Sequence, residues 1–587
     1  MPAMNRRRFL RTAATAAPFL SPGNAESKRA PNVILILTDD QGWYEIGVNG
    51  NHNIRTPVMD RLALEGVRFT HFYASPVCSP TRASLMTGRH YQRTGAVDTY
   101  LGRDVMHPDE ITIGQVFQKS GYRTGCFGKW HLGRYMKYHP QNRGFDDYFG
   151  FWQYGFINRY DDSDELWSGK QPVFAPGYIT DVLTDQAIEF IHQNQNRSFF
   201  LYLPYNSPHV PHLVPDRFIE PYLKRGVPLA EARIYGMIES IDSNIGRLLK
   251  TVDDQGLRDD TIVLFMSDNG GVGYFDKVGL RGLKGSCYEG GVRVPFFARW
   301  PGHFPAGAVT DAMAQHIDIL PTLCELTGAP LPDRQLDGKS LAPLLKSGGN
   351  VSPHDYLFHQ WNRGHPVLTS FAGDPELQAS WAVRNARGQK LLMTGELYDL
   401  ATDPGESRTI AEQNPDVVHE LQAHVNRWFA DVTRGQSYAR VPIQVGREDE
   451  NPVEIDLTWG VPSGQQVRPL YRSYNHDIID RWSVEGDSVT WDLEVTKSGQ
   501  YEVRFSYGCR ATDGGLLKIE AGGSTLVHRV IATAGREIFR PLIIGTLNLH
   551  RGKVNLVLTA QSVKGQEIMA LHKIWLRRIE PASRTGT

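Results

Sequence analysis

Hydrophobic positions along this chain follow two regimes. In the first, Val33-Ile-Leu-Ile-Leu37 and Thr261-Ile-Val-Leu-Phe-Met266 form short continuous apolar runs, the pattern of strands buried on both faces. Between them, Ile234, Ile238, Ile241, Ile245, Leu248 and Val252 recur at three- and four-residue steps. That spacing predicts an amphipathic helix, and Gly256 stands where such a helix stops. Strand, helix, strand predicts an α/β fold with a mainly parallel sheet flanked by helices. A further helical stripe, Val417, Leu421, Val425, Trp428, Phe429 and Val432, closes this regime. Beyond a charged, proline-containing stretch the period becomes two: Trp491, Leu493, Val495; Tyr501, Val503, Phe505, Tyr507; Val554, Leu556, Leu558. Short alternating strands separated by Ser498-Gly499 and Gly522-Gly523 predict a C-terminal all-β sandwich. The expected domains are an α/β unit over 29–435 with a small C-terminal subdomain, a linker over 436–452, and the sandwich over 453–587.

At 587 residues the chain exceeds one compact core, in keeping with that division. The net charge of -1 gives no global field toward nucleic acid or an anionic membrane, so an anionic substrate must be caught by a local site. Five scattered cysteines with no CxxC pair exclude a disulfide framework and a zinc cluster. Residues 1–28 read as an address. Arg6-Arg7-Arg8-Phe9-Leu10-Arg11, a weakly apolar Thr12–Leu20 stretch and the small residues Gly23-Asn24-Ala25 resemble a twin-arginine signal. The expected location is therefore periplasmic or secreted, reached through the twin-arginine export machinery. No other run nears the roughly 20 apolar residues of a membrane span.

The two buried runs end alike, in Asp39-Asp40 and in Asp268-Asn269. Strand carboxyl ends of a parallel sheet converge on the ligand crevice. Three carboxylates gathered there would repel one another unless a cation sat between them. An all-oxygen set of Asp39, Asp40, Asp268 and Asn269 favours Ca²⁺, with Mg²⁺ as the alternative, over zinc. Separately, Pro76-Val-Cys78-Ser79-Pro80-Thr81-Arg82 predicts a helix start with Ser79 as cap and Pro80 at the first position. Cys78 beside that terminus reads as a low-pKa nucleophile near a guanidinium. A cysteine hydrolase would also need a base, which the residues alone do not single out.

Cys78-Ser-Pro-Thr-Arg82 followed by Leu85-Met-Thr-Gly-Arg89 resembles the signature of the formylglycine-dependent (type I) sulfatases, with Thr81 where many members carry serine. Other blocks resemble that family in the same order: Asp39–Gly42, Gly128-Lys-Trp-His-Leu-Gly133, Pro208–His212, Ser267–Gly270, Lys284 with Glu289–Pro295, Asp318–Thr322 and Leu397–Gly405. The resemblance spans roughly residues 31 to 432. It implies an alkaline-phosphatase-like fold and sulfate ester hydrolysis. It implies that a formylglycine-generating enzyme converts Cys78 to an aldehyde whose hydrate attacks sulfur and also ligates the metal beside Asp39, Asp40, Asp268 and Asn269. Arg82 and Lys129 would stabilise the diol oxyanion and His131 would take its proton. His209 and Lys284 would grip the sulfate, either one able to protonate the leaving group. Trp130 and Glu289 read as packing residues despite standing inside these blocks, and His212 as a supporting or substrate-contacting group.

The expected substrate is a sulfated carbohydrate, with aryl sulfates also cleaved. The export signal, the added sandwich, which loosely resembles galactose-binding modules, and the aromatic and acidic stretch Trp152–Trp167 (Tyr154, Phe156, Tyr160, Asp161, Asp162) point that way. Two rival readings stand beside it: a formylglycine-dependent phosphodiester or phosphonate monoester hydrolase, and a sugar-binding protein without catalysis.

Overall fold

The computed structural model describes residues 29–273, 279–363, 380–470 and 477–579. The two apolar runs become the strands Asn32–Thr38 and Thr261–Ser267, paired side by side in parallel, with every residue buried. Phe199–Pro204, Arg123–Lys129 and Asp147–Phe151 extend the parallel block to five strands in the order 261–267, 32–38, 199–204, 123–129, 147–151. Strands with antiparallel pairings complete a ten-stranded sheet at both edges.

Alternation along the first strand explains the layering. Val33, Leu35 and Leu37 enter one core and Ile34 and Ile36 the other, so helices must cover both faces. The predicted amphipathic helix spans Leu229–Asp254 and buries Ile234, Ile238, Ile241, Ile245, Leu248 and Val252 on the second face. Gly256 follows it with φ +66°, the left-handed geometry that glycine adopts without a Cβ clash. On the first face lies the ten-residue helix Cys78–Thr87, wholly buried. A four-stranded antiparallel sheet (Tyr356–Gln360, Trp381–Asn385, Gln389–Leu392, Leu397–Asp399) and the helix Pro415–Val432 form the small subdomain.

The C-terminal strands form two six-stranded sheets enclosing one core. Ile443–Val445, inside the stretch read as a linker, pairs in parallel with Leu493–Val495. The sandwich thus begins within 436–452. A three-residue strand, buried only at Ile443 and Val445, is too short for its alternation to stand out in sequence. Val105, Tyr135 and Tyr138 from the α/β unit pack into the sandwich core, so the two units share apolar contacts. Among the described residues no helix is long and apolar enough to cross a membrane. The twin-arginine segment, residues 1–28, lies outside the described residues.

Candidate active site

Parallel pairing brings the strand ends together. The Asp39 N–H donates to the Ser207 carbonyl (3.1 Å) and the Asp268 N–H to the Thr38 carbonyl (3.0 Å), which ties three neighbouring strand ends together. Asp39, Asp40, Asp268 and Asn269 all project there, buried. Lys129 ends the next strand, fully buried. Asp40 and His131 adopt left-handed backbone angles, φ +69° and +59°, uncommon for residues with a Cβ and typical of functional sites.

The helix carrying Cys78 begins two residues earlier than its sequence predicts. Val77 is the cap and Cys78 the first helical residue, while Ser79 Oγ donates to the His131 carbonyl at 2.9 Å instead of capping. The expected low-pKa thiol is also corrected. Cys78 is 1% exposed, with Sγ 3.5 Å from Asp39 Oδ1 and 4.0 Å from Asp40 Oδ1. Burial, then the charge of Asp268, pushes this thiol up, beyond the opposing pull of Lys129 and Lys284. A thiolate nucleophile is therefore disfavoured.

Three cations interleave with three carboxylates. Arg82, one turn into the helix, donates to Asp268 Oδ2 from Nε (3.1 Å) and Nη2 (2.8 Å), and from Nη1 to the Lys129 carbonyl (3.1 Å). Lys129 Nζ lies 2.6 Å from Asp39 Oδ2, and Lys284 Nζ 2.6 Å from Asp40 Oδ1. Burial raises the Asp40 carboxyl, but Lys284, His209 and Lys129 outweigh it and hold the group well below its ordinary value. Burial and the charge of Asp39 push Asp268 up to about 6, against Arg82.

The two histidines sit differently. His131 Nε2 faces the Thr99 carbonyl at 2.7 Å, which fixes Nε2 as the protonated nitrogen. Its Nδ1 is buried without a hydrogen-bond partner among the described residues. Burial, then Lys129 and Arg82, holds this ring neutral. His209 Nδ1 donates to the Val210 carbonyl (2.8 Å), leaving Nε2 3.8 Å from Asp40 Oδ2. Burial and Lys284 lower its pKa to about 3. Phe156 stacks against His209, ring centroids 5.7 Å apart, and Tyr160 donates to its carbonyl at 2.9 Å. Those two aromatics thus support the site, and Tyr160 is core. Trp130 and Glu289 pack as read. Trp130 Nε1 donates to the Tyr138 carbonyl, and Glu289 is buried against Lys390 and Tyr73. His212 Nε2 is buried with no partner among the described residues.

The donors fit a divalent cation. Ligand atoms of Asp39, Asp40, Cys78 and His209 all lie within 4.8 Å of one another. Asn269 Oδ1 is buried with no hydrogen-bond partner among the described residues, while its Nδ2 donates to Asp40 Oδ1 at 2.8 Å. An orphaned amide oxygen beside crowded carboxylates is what a hard cation would satisfy. Asp268 is more committed, its Oδ2 bonded by Arg82 and its Oδ1 by the Asp40 N–H (3.2 Å). Asn206, which sequence reading missed, also lies here, buried with both amide atoms unpartnered among the described residues. It follows the end of strand Phe199–Pro204, so the strand-end logic that found Asp39 and Asp268 could have found it.

The sulfatase family model matches residues 31–329. This chain belongs to the sulfatase family. The model for the C-terminal part of N-sulphoglucosamine sulphohydrolase matches residues 270–431, across the small subdomain. Human arylsulfatase A is 32% identical, covering 73% of this sulfatase and 92% of its own length. The uncharacterized sulfatase YdeN of Escherichia coli is 31% identical, over 70% and 87%. The crystal structure of Ps i-CgsB in complex with k-i-k-neocarrahexaose superposes with TM-score 0.63 at 29% identity, covering 70% of this sulfatase and 95% of that chain. The enzyme hydrolyses sulfate esters, and the readings as a phosphorus-ester hydrolase or a non-catalytic sugar binder are not favoured.

Proposed function

We propose that this sulfatase desulfates carbohydrates in the periplasm or outside the cell, using a formylglycine made from Cys78. The observation that carries the reading is the placement of Cys78. It stands in a Cys-x-Pro-x-Arg stretch, at the first turn of a buried helix, against Asp39 and Asp40. An unmodified thiol held protonated there is a poor nucleophile, whereas a hydrated aldehyde supplies one hydroxyl to attack sulfur and another to release sulfate. His131, neutral and with Nδ1 unpartnered among the described residues, takes the proton of the attacking hydroxyl. Arg82 and Lys129 hold positive charge beside the developing oxyanion. Lys284 and His209 flank Asp40 at the mouth and receive the sulfate. A bound sulfate brings negative charge to His209, which favours its protonated form and lets it deliver that proton to the leaving alkoxide. Asp39, Asp40, Asp268, Asn269 and the modified residue 78 would hold the metal, Ca²⁺ by their hard oxygens, with Mg²⁺ the alternative; it would polarise the sulfate oxygens.

Three features support a carbohydrate substrate. Ps i-CgsB, similar in fold, was solved with k-i-k-neocarrahexaose. N-acetylgalactosamine-6-sulfatase of mouse is 32% identical over 55% of this chain. The twin-arginine-like start, Arg6 to Leu20, would place the enzyme where polymers are met. The test is a hydrolysis screen of sulfated oligosaccharides, aryl sulfates and phosphodiesters. Preference for sulfated saccharides is expected; turnover confined to aryl sulfates would overturn the substrate reading.

A further inference from the structure

A large cavity lies between the two domains. It measures about 810 Å³ and is walled on one side by Trp152, Tyr154 and Trp167 and on the other by Lys573, Trp575 and Glu450. That volume is typical of ligand sites, which favour domain junctions. The junction is fixed. Arg134 forms an ion pair with Asp456 and lies 3.5 Å from Glu454 of the sandwich, with its guanidinium 4.6 Å over the Tyr154 ring. The Tyr135 ring meets Trp459 edge-on at 5.2 Å.

We propose that this interdomain cleft binds uncharged sugar units flanking the sulfated one. The sandwich then acts as one wall of the substrate cleft rather than as a separately tethered module. Two observations converge. Aromatic rings stand on both walls, suited to stacking on sugar faces. The charges are mixed, with five carboxylates against three cations along the lining, so a polyanionic segment is disfavoured while hydroxyls find both donors and acceptors.

Phe151, on the lining of the cleft, pairs in register with Lys129 of the catalytic centre, which places the two side by side in the sheet. Arg134, Gln153 and Tyr154 continue from the cleft into a crevice lined by Tyr100 and Asp104. Asp104 Oδ2 lies 4.0 Å from His131 Nε2. On this proposal a saccharide with its sulfate at Cys78 would direct its neighbouring units toward the cleft.

The inference rests on the carbohydrate reading above, and the experiment separates the two. kcat/KM is measured on a short sulfated saccharide and on the same unit extended by unsulfated sugars, for wild type, Trp575→Ala and Trp575→Phe. Wild type is expected to favour the extended substrate about tenfold, chiefly through KM, as stacking one ring on a sugar would give. Trp575→Ala should abolish that preference and Trp575→Phe should keep most of it. The ratio is the readout because a folding defect lowers both rates alike and leaves the ratio unchanged. If wild type desulfates saccharides yet gains nothing from extension, or if Trp575→Ala keeps the gain, the cleft proposal alone fails. If wild type turns over only aryl sulfates, the carbohydrate reading fails and this proposal falls with it.

Discussion

Replacing Arg82 by alanine should cost this sulfatase much of its stability as well as its activity. The guanidinium is fully buried, gives three hydrogen bonds, two to Asp268 and one to the Lys129 carbonyl, and lies 3.5 Å from Asp39. Removing one partner of a buried, hydrogen-bonded pair leaves an uncompensated charge and costs about 3–5 kcal/mol. Against a typical domain stability of about 5–15 kcal/mol, that is a large fraction. Arg82→Lys keeps a charge, but a compact ammonium cannot reproduce the planar fork, so a loss of about 1–3 kcal/mol is expected. Without Arg82 the Asp268 carboxyl is pushed further above its unfolded value. The unfolded state then binds fewer protons than the folded one, so the variant loses stability as pH rises and its deficit narrows in acid. Urea unfolding followed by tryptophan fluorescence, at several pH values, reads all three effects, and sulfate release reads activity. An Arg82→Ala protein within about 1 kcal/mol of wild type at neutral pH would refute the claim that this cation holds the carboxylates together.

Other predictions follow from the same geometry. Chelation of divalent metal should lower turnover by orders of magnitude, with Ca²⁺ restoring it, since the carboxylates and the Asn269 amide oxygen lose their ion; unchanged turnover in metal-free protein by elemental analysis would contradict this. Lys284→Ala should cut kcat/KM at least about a hundredfold, because it removes a charge held 2.6 Å from Asp40 where the proposed mechanism receives the sulfate. Asp242 is buried beneath the helix Pro57–Leu64 and accepts the N–H groups of Val58 and Met59; burial pushes its carboxyl from 3.8 up to about 7. Between those values the folded state binds more protons than the unfolded, so this group makes stability fall as pH rises. Asp242→Asn should flatten the decline of the urea midpoint over that window, and an unaltered slope would exclude Asp242 as its source.

Much of this was legible because one physical device recurs. Apolar runs of five or six residues predicted strands buried on both faces, and the carboxylates just past them had to meet once those strands were parallel. That placement singles out Asp39, Asp40, Asp268 and Asn269, and all four lie buried just past the strand ends. The start of the Cys78 helix was misread because Ser79 and Pro80 are good local capping residues, yet the Ser79 hydroxyl is drawn to the His131 carbonyl by tertiary packing. The thiol's environment was misread for a related reason. A helix terminus and a nearby arginine suggest a lowered pKa, but complete burial between carboxylates reverses the sign. Asn206 went unnoticed because its strand, Phe199–Pro204, ends through Tyr205, with no charge to mark it. Of the interdomain cleft only the Trp152–Trp167 wall was legible, since Trp152 and Trp575 lie 423 positions apart and only the docking of the sandwich joins the two walls.

In the proposed mechanism, catalysis depends on an aldehyde at position 78. Mass spectrometry of the peptide containing Cys78, with carbonyl trapping, on preparations of graded specific activity tests it most directly. The aldehyde fraction should rise in proportion to sulfate ester turnover, and trapping it should abolish that turnover. A fully active preparation in which residue 78 is entirely an unmodified thiol would contradict the account.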